Sequence, residues 1–248
     1  MLSEAFLLSF VAGSATGIGG LIVVLLGKMD DRFIAGSMGF AAGVMLLVSF
    51  LNLFVEALDL TSYLNVSIAF TAGAVIMILI DSFLPHFELG KEENGIIDSK
   101  LLKSGLLILI GITIHNIPEG VIVIAGYSHM PQLGILIAVA VFFHNLPEGI
   151  ATAIPLISAG STKRFVVLST FISGLAESIG ALLGGSLLIS APDETIGFTL
   201  AFAAGVMTYI TADELIPIAH EHGHKHAVSI GILLGIVFMI ILNNLLRT

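Results

Sequence analysis

Hydrophobic residues in this chain run in long blocks separated by short polar breaks. Eight blocks, at 4–27, 34–58, 64–85, 101–126, 131–157, 163–190, 194–217 and 227–246, are long enough to cross a bilayer, which takes about 20 helical residues. The pattern predicts an all-α polytopic membrane protein of eight transmembrane helices, one transmembrane domain over 1–248. The breaks leave no room for a soluble domain. The longest, at 86–100, mixes Glu88, Lys91, Glu92, Glu93, Asp98 and Lys100 and reads as solvated. Blocks four and five contain proline, which a spanning helix tolerates where its neighbours satisfy the freed carbonyls.

Basic residues orient the blocks. Lys28, Arg32, Lys91, Lys100, Lys103, Lys163, Arg164 and Lys225 all fall in breaks, or at block ends beside them, on one side, and only Arg247 falls opposite. Eight of nine on one side is a strong positive-inside pattern, which puts those breaks in the cytoplasm and both termini outside. The first block lacks the positive start of a signal peptide, having Glu4 as its early charge, and reads as a retained helix.

Composition narrows the chemistry. Hydrophobic residues make up 56% of the 248 and charged residues 11%, against roughly 25% charged in soluble domains. Mean hydropathy is +1.07. With no cysteine, any metal must be held by nitrogen and oxygen. A net charge of −9 without a basic stripe argues against nucleic acid as a partner. The 27 glycines include Gly13, Gly17, Gly20 and Gly27 in block one and Gly174, Gly180, Gly184 and Gly185 in block six. Such small faces let membrane helices approach closely.

The acidic interior is the most informative feature. Glu119, Glu148 and Glu177 fall well inside blocks four, five and six, and Glu56, Asp81, Asp213 and Glu214 fall inside or near the ends of others. No lysine or arginine lies mid-block to pair with them. Ionised carboxylates in hydrocarbon are costly and normally paired, so these must be protonated, hydrated or neutralised by a bound cation. Block four carries His115-Asn116-Ile117-Pro118-Glu119-Gly120 and block five His144-Asn145-Leu146-Pro147-Glu148-Gly149. Histidine and glutamate four apart stack on one helix face, with asparagine about 100° round. Pro118 and Pro147 cannot donate to the carbonyls of Ile114 and Phe143, which should kink each helix at the depth of the ligands. Successive spans run in opposite directions, so two copies of one motif predict an inverted pair around a midplane site. Glu177, with Ser173 one turn before it, adds a third carboxylate. Imidazole with carboxylate suits zinc, iron, manganese, nickel or cadmium better than calcium or magnesium, and metal binding should expel protons.

These motifs resemble those of the ZIP (Zrt/Irt-like) family of divalent metal transporters, in its short prokaryotic form, over the whole chain. The resemblance implies a binuclear site in mid-membrane with His115, Asn116, Glu119, His144, Asn145, Glu148 and Glu177 as ligands. It offers Met45 as a thioether ligand, with plain packing as the alternative, and Asp213-Glu214 as an acidic pair lining the cytoplasmic route. Some relatives vary at the fifth-span histidine and asparagine, so metal choice is not inherited. Many carry a histidine-rich loop between spans three and four. Here that loop has only His86, and His220, His222, His224 and His226 follow span seven instead, as a metal-contacting cluster or a solvated turn. Asn52, Glu56, Asp81 and His86 are further pathway candidates, with solvation at a span end as the alternative for each.

The expected function is import of divalent metal toward the cytoplasm across the plasma (inner) membrane. Zinc comes foremost, then iron, manganese and cadmium, with metal as substrate rather than catalytic cofactor. No nucleotide-binding G-x-x-x-x-G-K-[ST] motif occurs, so the driving force is the metal gradient or membrane potential, with proton exchange as an option. Rival classes are an intramembrane metalloenzyme and a sensor that binds without transport. The first lacks the glutamate beside a histidine that H-E-x-x-H proteases use as base. A homodimer is expected from the family and the small-residue faces.

Overall fold

A computed structural model describes residues 2–27, 29–83 and 99–246. It has eight spanning helices: α1 Leu2–Leu26, α2 Asp31–Leu60, α3 Tyr63–Phe83, α4 Ser99–His129, α5 Pro131–Ser158, α6 Lys163–Leu188, α7 Asp193–Glu221 and α8 Lys225–Leu246. There is no strand among the described residues. Short turns join consecutive helices other than α3 and α4. Gly27, Gly160 and Gly223 adopt φ of 75°, 88° and 76° just past helix ends, where a residue without Cβ turns the chain without strain. His86 and the side chain of Asp81 lie outside the described residues.

The predicted blocks hold to within a few residues, with α4 extending past 126 to His129. Both α4 and α5 stay helical through Pro118, Pro147 and Pro155. Helices α2 and α7 instead each contain a π-helical stretch, at Val48–Phe54 and Thr211–Leu215. Such an inserted turn often marks a functional position.

Helices α1, α4, α5 and α6 form a central bundle; α2 lies against α5 and α7 against α4. Helix α8 covers α2 and α3 covers α7. Burial follows this order: 72% of the apolar window of α5 is inside the protein against 22% for α3 and α8. The outer pair therefore gives most of its surface to lipid.

An internal two-fold organises the packing, and it extends beyond the paired motif of α4 and α5. Phe40-Ala41-Ala42-Gly43-Val44-Met45 in α2 recurs letter for letter as Phe202-Ala203-Ala204-Gly205-Val206-Met207 in α7. Contacts repeat in register. Gly43 faces the Ile232 carbonyl of α8 as Gly205 faces the Phe70 carbonyl of α3, and Gly73 faces Phe202 as Gly235 faces Phe40. Ser49 donates to the Met45 carbonyl and Thr211 to that of Met207, each at 2.7 Å. Helices α1–α3 thus correspond to α6–α8, running the opposite way through the membrane, and α4 corresponds to α5. Gly13 and Gly174 meet at the crossing of α1 and α6, each against the other's carbonyl. These small faces are consumed within one chain, so they lend no support to the expected homodimer.

Asn52, expected on the pathway, is fully buried and pairs with Asn243 of α8. Its amide donates to Asn243 Oδ1 at 2.6 Å and Asn243 donates back at 3.3 Å. Amide pairs between membrane helices contribute about 1 kcal/mol. Asn243→Leu is therefore expected to lower the melting temperature by about 3 °C; an unchanged melt in nanodiscs would remove this clamp from the stability account.

Candidate metal centre

The two His-Asn-x-Pro-Glu-Gly turns face each other at the centre of the bundle. His115, Asn116, Glu119, His144, Asn145, Glu148 and Glu177 are all at most 1% exposed. Glu119 is the hub. Its Oε1 lies 3.1 Å from His115 Nε2 and 2.7 Å from His144 Nε2, so one carboxylate joins the imidazoles of α4 and α5. Glu148 approaches from the other side, with Oε1 3.7 Å from His115 Nε2. Ligand atoms of His115, Glu119 and Glu148 all lie within 4.8 Å of one another, the one such group of three or more among the described residues.

Hydrogen bonding at His144 shows what this cluster lacks. Its Nδ1 is 3.1 Å from the Ala140 carbonyl. A carbonyl only accepts, so Nδ1 carries the hydrogen and Nε2 of the neutral ring is a bare acceptor. That acceptor faces a carboxylate oxygen at 2.7 Å. Two acceptors at this separation require a cation between them, a proton or a metal ion.

Other buried oxygens are short of partners too: Glu119 Oε2, both oxygens of Glu148, Glu177 Oε1, Asn116 Oδ1 and Asn145 Oδ1. The asparagines are nonetheless fixed. Asn116 donates through Nδ2 to the Ser173 carbonyl at 2.9 Å, and Asn145 donates to the Ala12 carbonyl at 3.2 Å and to Glu177 Oε2 at 2.9 Å. Their NH₂ groups are anchored on α6 and α1, which leaves the amide oxygens for a cation. Ser173 also accepts from Thr113 at 2.9 Å. Among the described residues no lysine or arginine is buried, so the buried carboxylates there outnumber any fixed positive charge.

The remaining predicted residues are spread out. Met45 is fully buried within the apolar core. Asp213 is exposed and Glu214 half-buried on the π-helical stretch of α7. The loop histidines do not assemble into a ligand group. His220 turns back to the Ile216 carbonyl at 2.8 Å, and His222 sits 3.2 Å from Asp31. His224 is half-buried and His226 exposed at the start of α8. Glu56, near the end of α2, meets His129 at 2.8 Å. The hydropathy pattern had placed His129 in a break; the extra turn of α4 carries it to this contact.

Comparison with known proteins places the chain among relatives of metal transporters. The profile of the ZIP zinc transporter family matches residues 86–243. The zinc transporter ZupT of Chlorobaculum parvum is 41% identical over 95% of this chain and 94% of its own length. That of Corynebacterium glutamicum is 40% identical over 96% and 97%, and that of Clostridium perfringens 36% identical over 95% and 93%. Eight spanning helices, the paired buried motif and similarity over nearly the full length place this multi-pass membrane chain in the ZIP zinc transporter family.

Proposed function

We propose that the protein carries divalent transition metal, zinc foremost, across the plasma membrane toward the cytoplasm. The observation that carries this is the pair of acceptors, His144 Nε2 and Glu119 Oε1, facing each other at 2.7 Å inside a buried cluster rich in unpartnered oxygens. A borderline divalent ion suits that donor set of imidazole, carboxylate and amide oxygen. Zinc transport by the named relatives supports the choice of metal.

His115, His144, Glu119 and Glu148 form one seat. Asn116, Asn145 and Glu177 each keep an unpartnered buried oxygen, and these supply a second, with Glu119 and Glu148 as the carboxylates that bridge the two. The ion enters past Glu56 and leaves past Asp213 and Glu214, whose carboxylates give it stepping points. Binding displaces protons from the carboxylates and imidazoles. An enzyme would need a base separate from the ligands, and the carboxylates here are better used as ligands. A sensor would not need acidic residues at both ends of the bundle.

Purified protein in liposomes holding a zinc-responsive dye tests the proposal. External zinc should raise the internal signal, and protein-free liposomes should not respond. Tight zinc binding without flux of zinc, iron, manganese or cadmium would exclude transport and favour a sensor.

A further inference from the structure

One histidine outside the central cluster has a contact as close as those within it. His129, on the last turn of α4, places Nε2 2.8 Å from Oε1 of Glu56 near the end of α2. The contact lies at the end of the bundle where α2 and α4 finish and α5 and α7 begin. Here the side chains of His129 and Glu56 retain 22% and 11% of their surface, against 2% or less in the central cluster. A hydrated ion can reach this pair before it reaches the buried seats.

Packing does not require the pair. The internal repeat aligns Leu53 with Leu215 and Ala57 with Ala219, which sets Glu56 against Ile218. It aligns His115 with His144, which sets His129 against Ser158. The equivalent positions at the other end of the bundle therefore carry an isoleucine and a serine, and the imidazole–carboxylate contact at that end, His222 with Asp31, is more exposed and stands elsewhere in the repeat. A carboxylate and an imidazole at the positions of Glu56 and His129 cost desolvation that their counterparts avoid.

The geometry suits a metal ion. Zinc holds imidazole nitrogen and carboxylate oxygen at about 2.0–2.2 Å in a tetrahedral shell, so neighbouring ligand atoms sit about 3.4 Å apart. Nε2 and Oε1, at 2.8 Å, need to part by only about 0.6 Å to take an ion between them. We propose that Glu56 and His129 form an outer seat for a borderline divalent ion such as zinc or cadmium, with water completing its coordination. The ion takes the place of the hydrogen shared by Nε2 and Oε1. The seat's place on a route rests on the transport function above; its capacity to bind does not.

The test uses the full chain in nanodiscs of neutral lipid, with radioactive zinc as probe. In a Glu119→Gln, Glu148→Gln background the central seats are disabled, and about one zinc per chain should remain. Adding His129→Gln should weaken that zinc about tenfold or more, and Glu56→Gln, which keeps side-chain volume, should do the same. No zinc in the background protein, or zinc unaffected by either change, overturns the seat. In liposomes, His129→Gln alone should raise the zinc concentration for half-maximal flux about fivefold, and an unchanged value counts against it. Should wild-type liposomes show no flux while His129-dependent zinc persists, the transport function fails and the seat stands.

Discussion

Glu119→Ala is expected to abolish metal flux, while the folded protein remains. One oxygen of this side chain contacts both motif histidines, at 3.1 and 2.7 Å, one from each of two helices. Without it the imidazoles lose their shared anion, and an ion at the centre loses the carboxylate that joins the two halves. Changes to groups that merely orient a ligand cost about 10–100-fold in metal affinity. A ligand common to both halves should cost at least the upper end of that range. Glu119→Gln separates charge from shape, because the amide fills the same volume. Both variants should elute as intact protein and show zinc uptake at the level of empty liposomes. Uptake by Glu119→Gln at the wild-type rate would remove the carboxylate from the transport route.

Gly120→Ala should be the most damaging single-methyl change in the chain. A Cβ at this position would run into the backbone carbonyl of Glu177, with the Ala181 amide nitrogen also close, at 2.6 Å. Backbone cannot rotate away as a side chain does, so α4 and α6 must separate. Overpacking of this kind costs about 3 kcal/mol or more, which corresponds to about 10 °C in melting temperature for a chain of this size. The same displacement carries Glu177 away from Asn145, to which it is held at 2.9 Å, so flux should fall even in protein that survives. Gly111→Ala, nine residues earlier on the same helix, is the internal control: its Cβ would meet nothing within 4 Å. It should be neutral or slightly stabilising, since alanine favours helix by about 1 kcal/mol over glycine. Equal melts for the two variants in nanodiscs would refute the packing account.

Much of this was legible in the chain because lipid imposes a simple rule. Every backbone group in hydrocarbon must be satisfied within its own segment, so long apolar blocks can only be helices, and eight blocks became eight helices. The motifs at His115–Gly120 and His144–Gly149 were readable for a related reason: unpaired carboxylates in an apolar block need a cation. The repeat of Phe40–Met45 at Phe202–Met207 was present in the letters as well. Its meaning came only with the matching contacts of Gly43 and Gly205. His129 was missed because hydropathy sets helix ends to within a few residues, and one extra turn of α4 decided its partner.

The sequence by itself determined the helical class, the span count and the paired His-Asn-x-Pro-Glu-Gly motifs as candidate ligands, since these follow from composition and spacing along one dimension. Tertiary structure alone decided that Glu119 would serve both histidines, that Asn116 and Asn145 would be tied by their NH₂ groups to α6 and α1, and that Asn52 would pair with Asn243. Those pairings depend on how closely helices far apart in the chain approach. Glycine contacts and carbonyl positions across the bundle set that approach, and no local pattern encodes it.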